Sequence, residues 1–189
     1  MEKDTLALIV SIVGASAWLA PYFYEKFKKA KLVGKVISCI TLDDMTSTDN
    51  VSGELISAGV FYLYKLSVSS LGKNFHPKDV AINVTYQDGQ SVVGKISVPR
   101  NITTNVNGVP HRIAPPRELL FPNICVFQKD KAQHVFMPFN VDRATKGIVE
   151  KVVFRFKDFN GYESEIEIDF KKIDNGQLMY EEILEPINS

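Results

Sequence analysis

The chain has 189 residues, 45% of them hydrophobic and 23% charged, and its 22 lysines and arginines are matched by 22 aspartates and glutamates. That is too apolar for a disordered chain, and the charge balance lacks the basic excess that marks nucleic-acid binding, so no nucleic acid is expected as a partner. The residues behind the first thirty or so suffice for one domain burying about 70% of its unfolded surface, which needs no disulfide, metal or cofactor to fold.

In chain order, the first feature is a run with no charged residue between Asp4 and Glu25. A helix of about twenty residues covers roughly 30 Å, the thickness of a bilayer's hydrocarbon core. This run is apolar all round and has no face to turn to water. Residues 1–31 are therefore expected to form a transmembrane anchor with a basic juxtamembrane segment, and the lipid bilayer is the first expected partner. Trp18 and Tyr22 sit at its C-terminal end, at headgroup level, ahead of Lys26, Lys28 and Lys29. Pro21 cannot donate to the carbonyl of Ala17, so the helix bends or ends there, and a shorter interfacial anchor is the alternative.

A secretory signal is the competing reading, because Ala15-Ser16-Ala17 fits the small-x-small cleavage rule. Its n-region would be Met1-Glu2-Lys3-Asp4, with two acids and one lysine, whereas a secretory n-region is basic. A retained anchor is the expectation. The lysines behind the span then place the N-terminus outside and the C-terminal domain in the cytoplasm, by the positive-inside rule. Sequons at Asn50, Asn83 and Asn101 would favour a lumenal domain, but triplets of this kind arise by chance in a chain rich in Asn, Ser and Thr. In the cytoplasm Cys39 and Cys125 are expected to be two reduced, buried thiols; a disulfide between them is the outward-facing alternative. Within the span, Ala7, Ser11 and Ala15 recur every four residues with Gly14 beside them. Such a stripe permits close approach of two helices and hence a homo-oligomer, although small residues are also common in membrane helices generally.

From Leu32 the hydrophobic period changes to two. Val60, Tyr62, Tyr64, Leu66 and Val68 fall on one strand face, as do Val80, Ile82, Val84 and Tyr86. Strands are expected near 33–41, 58–70, 79–87, 91–98, 119–128, 133–141, 149–158 and 162–171. Residues 32–175 thus read as an all-β domain, an antiparallel β-sandwich or barrel of about eight strands. Residues 176–189 form a tail, either a short docking helix or an extra edge strand. One hairpin is predicted in register: a three-residue loop, Phe159-Asn160-Gly161, keeps Val152, Phe154 and Phe156 on the same face as Ser164, Ile166 and Ile168. It sets Lys157 opposite Glu163, Arg155 opposite Glu165 and Lys151 opposite Asp169, so the run of acids is a solvated, paired face.

Chemistry is sparse. HExxH, GxSxG, Walker, GxGxxG and CxxC motifs are missing from the sequence, and His76, His111 and His134 are scattered. A Cys125–His134 dyad is disfavoured by the buried-thiol context. Asp43, Asp44 and Asp49 lack the ligand spacing of a calcium loop. The informative segment is Pro99–Asn123, which holds five of the nine prolines and Arg100, Arg112 and Arg117 with His111, against the single acid Glu118. An irregular connection of this length either binds something, here an anion or an acidic partner surface, or is a stiffened crossover that covers a sheet edge.

The leading expectation is a non-enzymatic, membrane-anchored cytoplasmic β-domain that serves as an interaction or assembly module. The alternative is a ligand-gated effector whose β-domain binds an anionic small molecule, such as a nucleotide, and drives association of the spans. That arrangement is similar in outline to the membrane-bound effectors of bacterial nucleotide-signalling defence systems. A membrane-anchored hydrolase ranks below both.

Overall fold

A computed structural model describes residues 19, 21, 29–48, 55–97, 103–106, 109–141, 147–172 and 184–186. Leu19 and Pro21 are helical, and among the described residues no helix is long and apolar enough to cross a membrane. The remainder of the expected span lies outside the described residues, including Ala7, Ser11, Gly14, Ala15, Trp18, Tyr22, Lys26 and Lys28.

The described residues form ten strands: β1 (Lys31–Thr48), β2 (Leu55–Leu71), β3 (Pro77–Tyr86), β4 (Ser91–Ile96), β5 (Thr103–Val106), β6 (Val109–Ile113), β7 (Gln133–Val141), β8 (Val149–Asp158), β9 (Glu163–Asp169) and β10 (Leu184–Pro186). Seven of them form one antiparallel sheet in the order β1-β2-β7-β4-β3-β8-β9. Its two edges curl toward each other. The Leu32 amide of β1 donates to Ser164 Oγ of β9 at 2.8 Å, a buried contact. Gly34 lies so close to β9 that a Cβ there would stand 2.8 Å from Ile166 Cδ1. Gly34 on β1 and Ser164 on β9 thus let the sheet approach closure, and the fold is a nearly closed barrel whose interior is filled by side chains.

The period-2 faces read from the sequence supply that interior. Tyr62, Tyr64, Leu66 and Val68 of β2 pack with Ile82, Val84 and Tyr86 of β3 and with Val152, Phe154 and Phe156 of β8. Phe139 stacks on Tyr62 and Tyr64, with centroids 5.2 and 5.6 Å apart, and meets the edge of Phe154 at 5.8 Å. The β8–β9 pairing keeps the expected register, with Lys157 opposite Glu163, Arg155 opposite Glu165 and Lys151 opposite Asp169. Arg155 Nε meets Glu165 at 2.5 Å, and Lys151 also reaches Glu167 at 3.5 Å. In the loop Gly161 takes φ +81°, the left-handed value that glycine tolerates. Asp158, buried at 4% exposure, accepts from the amides of Asn160 and Tyr162, both at 2.8 Å.

The expected strand at 119–128 requires correction. Arg117–Leu119 is a 3-10 turn, Leu120 bridges Phe136, and Phe127 bridges Phe75. Leu120 is buried on the outer face of the sheet, whereas Phe121, Ile124 and Phe127, which join the main core, are spaced by three rather than two. Pro116 and Pro122 also lack the amide that a ladder needs. The segment instead plugs the barrel: Phe121 and Phe127 meet the Phe156 ring edge to face at 5.8 and 5.7 Å.

Candidate functional site

The proline-rich segment forms a second layer. Strands β5 and β6 make a hairpin, and β10 adds to β6, giving a small sheet in the order β10-β6-β5. Ile113 at the end of β6 packs with Leu120 on Ile40, Phe61, Leu63 and Phe136, an apolar patch on the outer face of the barrel. Strand β2 is therefore buried on both faces, Tyr62 and Tyr64 inward and Phe61 and Leu63 outward. This explains its nearly continuous apolar run. The segment covers a sheet face rather than a sheet edge.

Alternation along β6 separates two of the expected binding residues. Half-buried His111 shares the face of Ile113, and exposed Arg112 takes the other. In register, Arg112 lies opposite Thr103 and Glu185, and His111 opposite Thr104 and Pro186. Arg117 is exposed at the start of the 3-10 turn, where its carbonyl accepts from Asn123 Nδ2 at 2.7 Å and from the Leu120 amide at 3.2 Å. Arg100 lies outside the described residues.

Beside Arg117 the turn and the start of β7 enclose an open groove of about 380 Å³. Leu119, Ile124 and Val126 give it an apolar lining, while Glu118, Asn123, Cys125, Gln133 and His134 supply polar groups. The expectation of two buried thiols holds for Cys39 but not for Cys125, which is exposed at the surface and donates its thiol to the Asn123 carbonyl at 3.5 Å. Gln133 Oε1 accepts from the Gln128 amide at 2.7 Å, which fixes the start of β7 against the plug. The sequence offers Cys125 and His134 only as a disfavoured catalytic pair, and the groove whose lining they share escapes it. It depends on the 3-10 turn that Pro115 and Pro116 initiate, and those prolines were the available signal. Among the described residues, no group of three His, Cys, Asp or Glu is placed to hold a metal ion.

A second polar group lies within the barrel. Cys39 Sγ approaches Thr41 Oγ1 at 3.8 Å, and the Tyr62 and Tyr86 hydroxyls stand 3.4 Å apart. Burial pushes the Cys39 thiol up to about 11, against the opposing hydrogen bonds of Tyr64 and Thr41. Burial, and then the neighbouring Cys39, raise the Tyr64 phenol well above its usual value. Both groups are neutral near pH 7, and Cys39 has no thiolate to offer for nucleophilic work.

This has a consequence for stability. An unfolded thiol ionises from about pH 9 while the folded one holds its proton to about pH 11, so over that interval the unfolded state binds fewer protons. Stability is therefore full below pH 9 and falls by an amount on the order of 2–3 kcal/mol as pH rises to 11. Urea midpoints at pH 7, 9 and 10.5 should decline only across the last two. Cys39→Ala should flatten the decline in part, leaving the contribution of Tyr64.

Comparison with known proteins assigns no family: no family model matches this chain, and no curated protein matches it.

Proposed function

We propose that this protein is a membrane-anchored interaction module. Residues 1–31 hold it in the bilayer, and the barrel on the cytoplasmic side offers a partner protein the groove between the 117–126 turn and the start of β7. The observation that carries this reading is the makeup of that groove, whose lining joins apolar side chains with hydrogen-bonding groups. Protein-interaction surfaces combine the two kinds of group. The uncharged run between Asp4 and Glu25 and the lysines behind it support the anchor and its orientation. Confinement to the membrane raises the effective concentration of the groove toward partners held there.

The test fills the groove without touching the core. Cys125 and His134 are both exposed, and exposed substitutions of this kind change stability by less than about 0.5 kcal/mol. A C125R/H134E variant of the detergent-solubilised full chain should keep its melting temperature and lose the proteins that co-purify with the wild type. Recovery of the same partner in equal yield would remove the groove from the account.

A further inference from the structure

We infer that the end of the barrel from which residues 29–31 lead into β1 rests on an anionic lipid surface, with Phe159 inserted at the headgroup boundary. The inference depends on the anchored reading above for its orientation. Four pieces of chain meet at this end: residues 29–31, the β2–β3 connection, the residues before β7, and the β8–β9 turn. They are tied into one rim. Lys31 lies opposite Leu71, and the Phe159 amide donates to the His76 carbonyl at 3.3 Å. The Lys129 amide donates to Asn74 Oδ1 and the Asp130 amide to the Ser70 carbonyl, both at 2.8 Å. Lys29 Nζ stands 5.8 Å from the centroid of the Tyr162 ring.

This rim combines exposed apolar groups with lysine. Phe159 is 71% exposed, Tyr162 and Leu71 43% each. The turn that carries the two rings is fixed by the Asp158 carboxylate, so Phe159 is held outward by built geometry. Lys29 lies at the turn and Lys31 at the start of β1, Lys73 lies in the β2–β3 connection and Lys78 at the start of β3, and Lys129 and Lys131 precede β7. The acids of the rim are fewer. Asp158 is buried, Asp130 lies 4.0 Å from Lys129, and Asp79 and Glu163 are exposed. At the opposite end the β3–β4 turn holds Asp88 and no lysine or arginine, and Asp43 and Asp44 lie in the last part of β1, while Lys171 and Lys172 follow β9.

A barrel charged in this way, tethered at its basic end, turns that end to an anionic leaflet. Aromatic rings favour the headgroup level, and lysine stems can lie along apolar surface while their ammonium groups stay wet.

An environment-sensitive nitrobenzoxadiazole probe tests this. It is attached in the full chain at F159C in a C125S background, where Cys39 is buried, with D88C as the opposite-end control. The protein is added to phosphatidylcholine vesicles with or without phosphatidylglycerol. With phosphatidylglycerol the 159 probe should brighten several-fold and shift to the blue, while the 88 probe stays as in water. The gain should fall with added salt and in K129E/K131E, because the attraction is screened electrostatics. If the 159 and 88 probes respond alike, the docking is wrong, even where flotation shows the chain held in neutral vesicles and the anchor sound. Conversely, a 159 response without retention in neutral vesicles upholds the docking and removes the anchor.

Discussion

Replacing Phe154 by alanine should cost the barrel about 3–5 kcal/mol, the range for truncating a large buried ring. Phe154 is fully buried and meets Tyr64 at 5.9 Å and Phe139 at 5.8 Å, each ring edge to face. Its removal leaves a hole between strands that are distant in sequence, and the aromatic pairs lost add about 0.5–1.5 kcal/mol each beyond simple burial. Domains of this size are stable by only about 5–15 kcal/mol, so the variant should unfold at a much lower urea concentration, with the slope of the transition unchanged. Phe154→Leu, which refills most of the volume, should recover more than half of the loss. Equal urea midpoints for the wild type and the alanine variant would mean that the β2, β7 and β8 faces do not share one core.

Asp158→Ala should cost about 2–4 kcal/mol although no apolar contact is lost. The carboxylate is buried and accepts from the Asn160 and Tyr162 amides, and hydrogen bonds to a charged group are worth about 1.5–3 kcal/mol each. Asp158→Asn keeps one acceptor oxygen and should cost about half as much. Chemical denaturation of the three proteins orders them. Because the same turn presents Phe159 and Tyr162, the alanine variant should also show faster amide exchange at Asn160 and Tyr162. A loss below about 0.5 kcal/mol would show that the turn holds itself without this side chain.

The parts of the fold written in local pattern were legible. The β8–β9 hairpin was readable to the residue because its faces alternate strictly and its loop contains Gly161, which leaves one loop length that agrees with both strands. Sandwich and barrel were not separable, because closure rests on Gly34 and Ser164 bringing β1 to β9, two small residues with no local signature. The apolar run at 119–128 misled because a strand and a plug are equally hydrophobic; the spacing of Phe121, Ile124 and Phe127 distinguishes them only when counted in threes. The β5–β6 hairpin had a signal that went unread: Asn107-Gly108 stands between Val106 and Val109, and this dipeptide is a strong hairpin marker. The groove was not legible: Arg112 and Arg117, which composition singles out, are not in its lining, and the face each occupies depends on the pleat of β6 and on the 3-10 turn.

Together the groove and the lysine-lined rim give the barrel a division of labour in the proposed account. In that proposal one end is assigned to lipid and the outer layer to protein. Both assignments depend on the barrel lying on the cytoplasmic side of an anchoring span. Cys125 reads that out directly, since it is exposed while Cys39 is buried. Cells expressing the full chain are treated with a membrane-impermeant maleimide before or after lysis, and the label is counted in carbonate-washed membranes. The account predicts one labelled thiol, Cys125, only after lysis, in protein that stays with the membrane. Labelling of Cys125 in intact cells, or release of the chain by the carbonate wash, would contradict it.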